Sequence, residues 1–385
     1  MSEAVVLACA RTPVGRRGGG LSGVHAVDLA AHALNAALER SGLGPDAVDD
    51  VMLGCVSQVG EQSWNVARNA VLAAGWPDRI PGTVIDRQCG SGQQAISLAA
   101  ASVLAGHADV VVAGGVESMS RVPMGSSVGS GAGEPYGPAV RERYGDRVDA
   151  SVPVMFQQGL ASELVAERYG ISREAMDAFS LASHEKAAEA TDKGAFAAEI
   201  APLAGISADE GIRRDTSAAK LAGLKPVFKV DGLVTAGSSS QISDGAAALV
   251  ICTAEHARRL GVRPLARIAA STVVGSDPVM MLDGPMSATA RLLKRTGLDL
   301  DEIDVFEVNE AFAAVPLAWL AETGADEERM NPRGGAIALG HPLGASGARL
   351  AVTMLHYMRE TGARRGMQTM CEGGGMANAT VFELL

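Results

Sequence analysis

The sequence predicts an α/β fold built from two similar halves, and three observations carry that prediction. Apolar runs bounded by Gly and Asp alternate with helical stretches, the pattern of strands and helices packed in layers. Residues 38–54, LERSGLGPDAVDDVMLG, align without gaps on residues 293–309, LKRTGLDLDEIDVFEVN, at an offset of 255 residues. The 385 residues also include 46 Gly but just 7 Phe, 3 Trp and 4 Tyr, which points to tight turns and close backbone contacts packed with Ala, Val and Leu.

Val5–Leu7, Val51–Leu53 and Val110–Ala113 read as buried strands, and Ala26–Arg40 and Ala95–Ala105 as helices ended by Gly42 and Gly106. In the internal alignment six of 17 positions are identical, among them Gly42/Gly297 and Asp49/Asp304. Average composition gives about one or two. The same offset lays Cys89-Gly-Ser-Gly92 on Gly344-Ala-Ser-Gly347, each opening an apolar helix, and Gly114-Gly115 corresponds to Gly373-Gly374 with the offset lengthened by four. A duplication accounts for these matches. The segment between the halves has a different character. It starts Gly- and Ser-rich at Gly125–Gly137 and carries helices at Leu160–Tyr169 and Arg173–Lys193, the second capped by Ser172. It returns through TAGSSSQISDGAAALVIC at 235–252 into a buried strand. The expected domains are an N-terminal half of 1–118 with 244–263, an inserted loop domain of 119–243 and a C-terminal half of 264–385.

Hydrophobic residues at 47% supply a large core, and 33 basic against 44 acidic residues give a net charge of −11. That sign disfavours nucleic acid or an anionic membrane as partner, and no apolar run has the length of a membrane span. The apolar stretch Ala4–Ala10 is too short for an export signal, and Arg16-Arg17 is followed by three Gly where a leader needs apolar residues. Five scattered Cys without a Cys-x-x-Cys pair argue against a disulfide framework or a metal site, so the cytoplasm is the expected compartment.

Four residues stand where strands are expected to end. Cys89, in DRQCGSGQQAI, follows the strand Thr83–Ile85 and opens a helix whose N-terminus favours a thiolate. His341, in GGAIALGHPLGASGARL, is expected on a loop at a strand end, where it can act as general base toward a thiol. Cys371, in TMCEGGGMANA, suits proton transfer, and the Gly373–Gly375 backbone can supply donors to an oxyanion. Asn309 ends the strand Val305–Val308 and can hold a water or an oxyanion without titrating. Each also has a plainer use: core cysteines for the two thiols, a structural loop for His341, a helix N-cap over 310–320 for Asn309. The other six His, at 25, 32, 107, 184, 256 and 356, read as surface or packing residues, and Cys9, Cys55 and Cys252 as core. In α/β sheets, ligands bind at the edge these four residues share.

Taken together, the motifs resemble the thiolase family, whose members cleave or form 3-oxoacyl-CoA. The fingerprints are Cys89-Gly-Ser91, Asn309-Glu-Ala-Phe312, Gly340-His-Pro342 and Cys371-Glu-Gly373, supported by GGVESMSRVP at 114–123, LKPVF at 224–228 and TAGSSSQISDGAAA at 235–248. The resemblance spans essentially the whole chain. It implies the thiolase fold: two duplicated halves in five αβαβα layers with a loop domain inserted in the first. Cys89 then resembles the nucleophile that carries the acyl group, His341 its activator, and Cys371 the acid/base that moves the α-proton of acetyl-CoA. Asn309 resembles the holder of a water that, with His341, forms one oxyanion hole; the N–H groups of Cys89 and Gly373 form the other. Coenzyme A and acetyl-CoA are implied as substrates rather than resident cofactors, with Arg213 near the nucleotide and Ser240 near the pantetheine; Arg213 belongs to a basic stretch with Arg214, Lys220, Lys225 and Lys229, of which Lys220 is also expected to bind CoA. A homodimer or dimer of dimers is also implied.

One departure bears on substrate. Biosynthetic acetoacetyl-CoA thiolases carry His-Met where this chain has Gln157-Gln158 before Gly159. That change resembles actinobacterial degradative thiolases acting on fatty-acid or steroid-derived CoA esters. The alternatives are a biosynthetic thiolase and a non-catalytic acyl-CoA-binding subunit of the same fold; the latter is expected to lose at least one of the four residues. A ketoacyl synthase is expected to lack the second Cys, and a papain-like hydrolase gives no reason for the duplication.

Overall fold

The computed structural model describes residues 3–128, 133–149, 151–152 and 154–385. The Gly- and Ser-rich stretch Gly125–Gly137 therefore lies partly outside the described residues. The strands are β1 (Ala4–Arg11), β2 (Gly15–Arg16), β3 (Asp50–Gly54), β4 (Gly82–Ile85), β5 (Val110–Ser118), β6 (Ser243–Thr253), β7 (Ala266–Gly275), β8 (Val305–Val308), β9 (Arg365–Glu372) and β10 (Met376–Leu384). They run in the order β4-β3-β5-β6-β1-β7-β10-β9-β8, with β2 against β6.

The duplication is visible in the pairing. In the first half β3 is parallel to β4 and β5, and β5 and β1 flank β6 antiparallel. In the second, β8 is parallel to β9, and β9 and β7 flank β10 antiparallel. An isolated parallel bridge between Phe306 and Met330 stands where the first half has β4. The halves meet where β1 and β7 share two pairs, Val5–Arg267 and Val6–Ala266. The pairs Asp50–Val111 and Val305–Gly366 are separated by the same number of residues, so the 255-residue offset continues unbroken through β5 and β9. The expected match of Gly114-Gly115 to Gly373-Gly374 is therefore wrong. Gly114 lies inside β5 because a Cβ there would come within 2.0 Å of the Ala247 carbonyl oxygen on β6, whereas Gly374, at φ +82°, turns the chain from β9 into β10. What differs between halves is that connection: residues 119–242 join β5 to β6, and 373–375 join β9 to β10.

Helices cover both faces of the sheets. Ala26–Ser41 and Val66–Ala73 pack outside the first half, and Gly284–Thr296 and Ala314–Thr323 outside the second. Ser91–Ala105 and Leu343–Thr361 pack against each other between the two halves of the continuous sheet, burying Ala95, Ile96, Ala99, Ala348, Ala351 and Leu355 in a core that both halves share. The first and third of these outer helices end alike, on Gly42 and Gly297 in left-handed conformation (φ 74° and 71°), a duplicated cap at the duplicated position. Small residues let the central layer approach closely. A Cβ on Gly115 would meet the Gly344 carbonyl oxygen at 2.0 Å, and one on Gly344 would meet Cys55 Cα at 2.6 Å.

The segment between β5 and β6 contains helices Gln158–Arg168 and Arg173–Asp192, close to those expected; the Ser172 side chain accepts from the Ala175 N–H. It is tied to β1 by a buried ion cluster. Arg11 donates to Glu199 at 2.6 Å and to Asp209 at 2.7 and 2.9 Å, and Thr353 of the central helix donates to Glu199. No helix among the described residues is long and apolar enough to cross a membrane.

Candidate active site

The Cys89 turn is built by its neighbours. Gln88 adopts φ +49°, a conformation costly for a side-chain-bearing residue. The Asp86 carboxylate accepts from the Gln88 N–H (2.8 Å), while Ser91 Oγ accepts from the Arg87 N–H (2.8 Å) and donates to the Gln88 carbonyl (2.6 Å). β4 thus turns abruptly into the Ser91–Ala105 helix with Cys89 at the corner. Cys89 is buried in a small cluster with Met119, Leu343, Leu350 and Met370. Burial pushes its thiol up to about 12, against the opposing effects of the Gln158 amide and the N–H groups of Cys89 and Gly373. This corrects the expectation of a depressed thiol pKa: loss of hydration outweighs the helix N-terminus.

His341 follows a four-residue helix, Ala336–Leu339, rather than a strand, and precedes Leu343–Thr361. Its N–H donates to the Gln241 carbonyl (3.1 Å) and Ser243 Oγ (3.2 Å) at the entry to β6. Gly340, at φ +104°, is required beside Ser243, whose Oγ would lie 2.3 Å from a Cβ. Ser346 Oγ donates to the Pro342 carbonyl (2.9 Å) and sits 2.5 Å from His341 Nδ1. With its single proton so committed, Ser346 accepts from Nδ1–H, which leaves Nε2 as the open lone pair. Burial, reinforced by the Arg349 charge, lowers the His341 pKa to about 3, so the imidazole is neutral.

Asn309 ends β8 and hydrogen-bonds through its N–H to Thr369 on β9 (3.1 Å). It caps no helix, since the next begins at Ala314 with Ala313 as its cap. Its Nδ2 lies 3.4 Å from His341 Nε2, and its Oδ1 is buried without a protein partner. Cys371 is the penultimate residue of β9. Burial raises its thiol pKa, Cys89 raises it further, and Asn309 lowers it. Asn309 thus lies against His341 and, like Cys89, influences the Cys371 thiol. Gln158 Nε2 reaches Cys89 Sγ at 3.8 Å. A basic imidazole nitrogen, two thiols and converging N–H donors equip this place for acyl transfer with proton shuttling.

The site opens into a cavity of about 500 Å³ lined by His341, Gln158, Ser240, Arg213, Phe228 and Phe312. A second, of about 260 Å³, lies beside it, holds Lys220 and His184, and shares Arg213 and Gln241. Lys220 is paired with Asp215 (2.6 Å) and Arg214 with Asp192 (2.7 Å), whereas Lys225 and Lys229 line neither cavity. Three participants were not legible as such in the sequence. Ser346 had no signal beyond the Gly-Ala-Ser-Gly run, and His184, buried with Nδ1 accepting from the Arg213 N–H (3.1 Å), had none. Gln158 stood out for its residue type, not for contact with the sulfur.

Two family models match the chain: thiolase, N-terminal domain, over residues 4–255, and thiolase, C-terminal domain, over 262–384. A steroid 3-ketoacyl-CoA thiolase of Mycobacterium tuberculosis is 47% identical over 395 residues, covering 100% of this chain and 95% of that protein. A 3-ketoacyl-CoA thiolase of Aliivibrio fischeri is 42% identical over 398 residues and all of both chains. The crystal structure of the Bacillus anthracis acetyl-CoA acetyltransferase superposes with a TM-score of 0.91 at 39% identity, covering 100% of this chain and 99% of that one.

Proposed function

The chain belongs to the thiolase family of acyltransferases, and on that premise we propose that it cleaves 3-oxoacyl-CoA with coenzyme A, giving acetyl-CoA and a shortened acyl-CoA, in degradative metabolism. The observation that carries this reading is the gathering of Cys89, His341, Asn309 and Cys371 in one place: Asn309 lies 3.4 Å from His341, Cys89 clusters with Leu343, His341 and Leu343 both line the cavity, and Cys89 and Asn309 both act on the Cys371 thiol. The names of the relatives from Mycobacterium tuberculosis and Aliivibrio fischeri support the degradative direction.

In this mechanism Cys89 passes its proton to His341 Nε2 and attacks the 3-oxo carbon. The N–H groups of Cys89 and Gly373, which favour negative charge on the sulfur, stabilise the oxyanion. The bond between C2 and C3 then breaks. Acyl-Cys89 forms, and Cys371 protonates the acetyl-CoA enolate, whose oxygen is held by His341 and a water on Asn309. The unpartnered Oδ1 of Asn309 suits that water. In the second half-reaction Cys371 takes the proton of the incoming CoA thiol, whose sulfur attacks acyl-Cys89; the bond to Cys89 breaks and Cys89 recovers its proton from His341, so the kinetics are ping-pong. Because the free thiol and imidazole are both neutral, charge separates when substrate fills the site. Arg213, Lys220 and Ser240 are assigned to coenzyme A, since they line the two joined cavities.

The partition into 1–118 with 244–263, 119–243 and 264–385 belongs to the same proposal, supported by the repeated strand order. So does assembly as a homodimer or dimer of dimers: β4 has an open edge, and the neighbouring Trp64 is 90% exposed. Five unpaired, buried cysteines suit a cytoplasmic enzyme.

Radiolabelled acetyl-CoA should label Cys89, and Cys89→Ala should abolish both label and thiolysis; undiminished thiolysis in that variant refutes the mechanism. A panel of short, long and cyclic 3-oxoacyl-CoA esters reads the substrate, and activity confined to acetoacetyl-CoA would reverse the degradative assignment.

A further inference from the structure

Glu117, near the end of β5, is fully buried yet touches none of the four site residues. Its Oε2 accepts from the N–H of Val56 (2.9 Å) and the N–H of Gly344 (2.9 Å). Its Oε1 accepts from the N–H of Ser57 (3.1 Å) and from Gln62 Nε2 (2.6 Å). Gln62 is itself held, donating to the Ser57 carbonyl and accepting from the Ser118 N–H (2.6 Å). One side chain thus joins two turns that come from different halves.

Both turns bear on the site. Val56 packs against the cluster around Cys89, and the adjoining Cys55 N–H donates to Ile85, the last residue of the strand that leads to Cys89. Gly344 follows Leu343, a member of that same cluster. It stands between His341 and Ser346, the residue that orients the imidazole. A carboxylate facing five donors, the fifth being Cys55 Sγ at 3.9 Å from Oε1, has no lone pair to spare for a replacement donor. Removing an acceptor leaves buried N–H groups unsatisfied in a place without room for large readjustment.

We propose that Glu117 is a positioning residue for acyl transfer: its carboxylate sets the His341–Ser346 turn of the second half against the Cys55–Ser57 turn of the first. This rests on the assignment of Cys89 and His341 made above. Glu117→Gln replaces one acceptor with a donor among donors. The folded variant should lose about 10- to 100-fold in kcat, the effect of a misplacement near 1 Å, while KM for CoA stays within about threefold, because the cavity walls are untouched. The pH profile of Cys89 alkylation by iodoacetamide should shift, and Glu117→Asp should restore part of kcat. A folded Glu117→Gln with wild-type kcat and alkylation profile overturns the proposal, as does a loss of kcat that tracks the unfolded fraction. If Glu117→Gln yields no folded protein, Gln62→Met decides: lowered kcat at unchanged KM supports the proposal and wild-type kcat overturns it. A wild-type enzyme without thiolysis would refute the functional reading instead, and the alkylation profiles would still decide the role of Glu117.

Discussion

The chemistry at Cys89 is governed by desolvation. An exposed thiol at a helix N-terminus is acidified; here the sulfur is buried and its pKa is pushed up to about 12. A neutral thiol and a neutral imidazole avoid isolating a charge in a buried site, and in the proposed mechanism the substrate triggers the proton transfer. The tautomer of His341 then becomes decisive, because only an open Nε2 faces Asn309 and the cavity. Ser346→Ala removes the acceptor for Nδ1–H and lets the ring choose either tautomer. Losing one buried hydrogen bond of about 1 kcal/mol plus the tautomer preference should lower kcat by about tenfold. KM for CoA should not change, and steady-state kinetics with CoA varied would show a KM effect if Ser346 served binding instead. The four residues proposed to react were singled out by residue type, glycine context and family resemblance. Their partners were not, since Ser346 and Glu117 act through contacts between segments far apart in sequence.

At the scale of elements, glycine works mainly by permitting contact. Gly115 on β5 has ordinary strand dihedrals, yet a Cβ there would lie 2.0 Å from the Gly344 carbonyl oxygen, a backbone atom that cannot swing aside. Gly115→Ala should therefore destabilise by about 1–3 kcal/mol or more and lower the thermal midpoint. Gly23→Ala, where a Cβ meets nothing within 4 Å, is the control: its midpoint should stay unchanged or rise slightly, because the unfolded chain loses freedom. Equal shifts in calorimetry for the two variants would contradict this. The helix ends at Gly42, Gly106 and Gly297 were readable because a left-handed cap is a local signal. The location of His341 after a short helix was misread, for Gly-Gly-Ala-Ile-Ala-Leu-Gly is as apolar as a strand, and four residues carry too little periodicity to separate the two.

Across the whole molecule, buried ionisable groups set the response to pH. His184, His341 and His356 have pKa values lowered by burial to about 4, 3 and 3. Below about 6.5 the unfolded chain binds protons that the folded protein refuses, so stability falls as pH drops through that window. Glu307 and Glu372 have pKa values raised by burial to about 8. Their contribution is complete below the ordinary carboxylate pKa of about 4.5 and is lost as pH rises through 8. Above about pH 6.5 the histidines no longer contribute, so stability should decline from there to about pH 8. Urea midpoints from pH 5 to 9 would show the decline, and Glu372→Gln, which carries no titrating proton, should flatten it. A decline as steep as wild type in that variant would remove Glu372 from the account.

What the sequence by itself determined is local or repeated: the α/β alternation, helix ends at glycine, the 255-residue offset and the motifs around Cys89, Asn309, His341 and Cys371. Such features survive in one dimension because they depend on neighbours a few positions apart or on a copy of the same pattern. Only the tertiary structure decided the protonation states, the tautomer of His341 and the union of two halves through Glu117 and Gly344. It also showed that the offset continues through β5 and β9. These depend on which atoms exclude water from which, and burial is a property of segments brought together from across the chain.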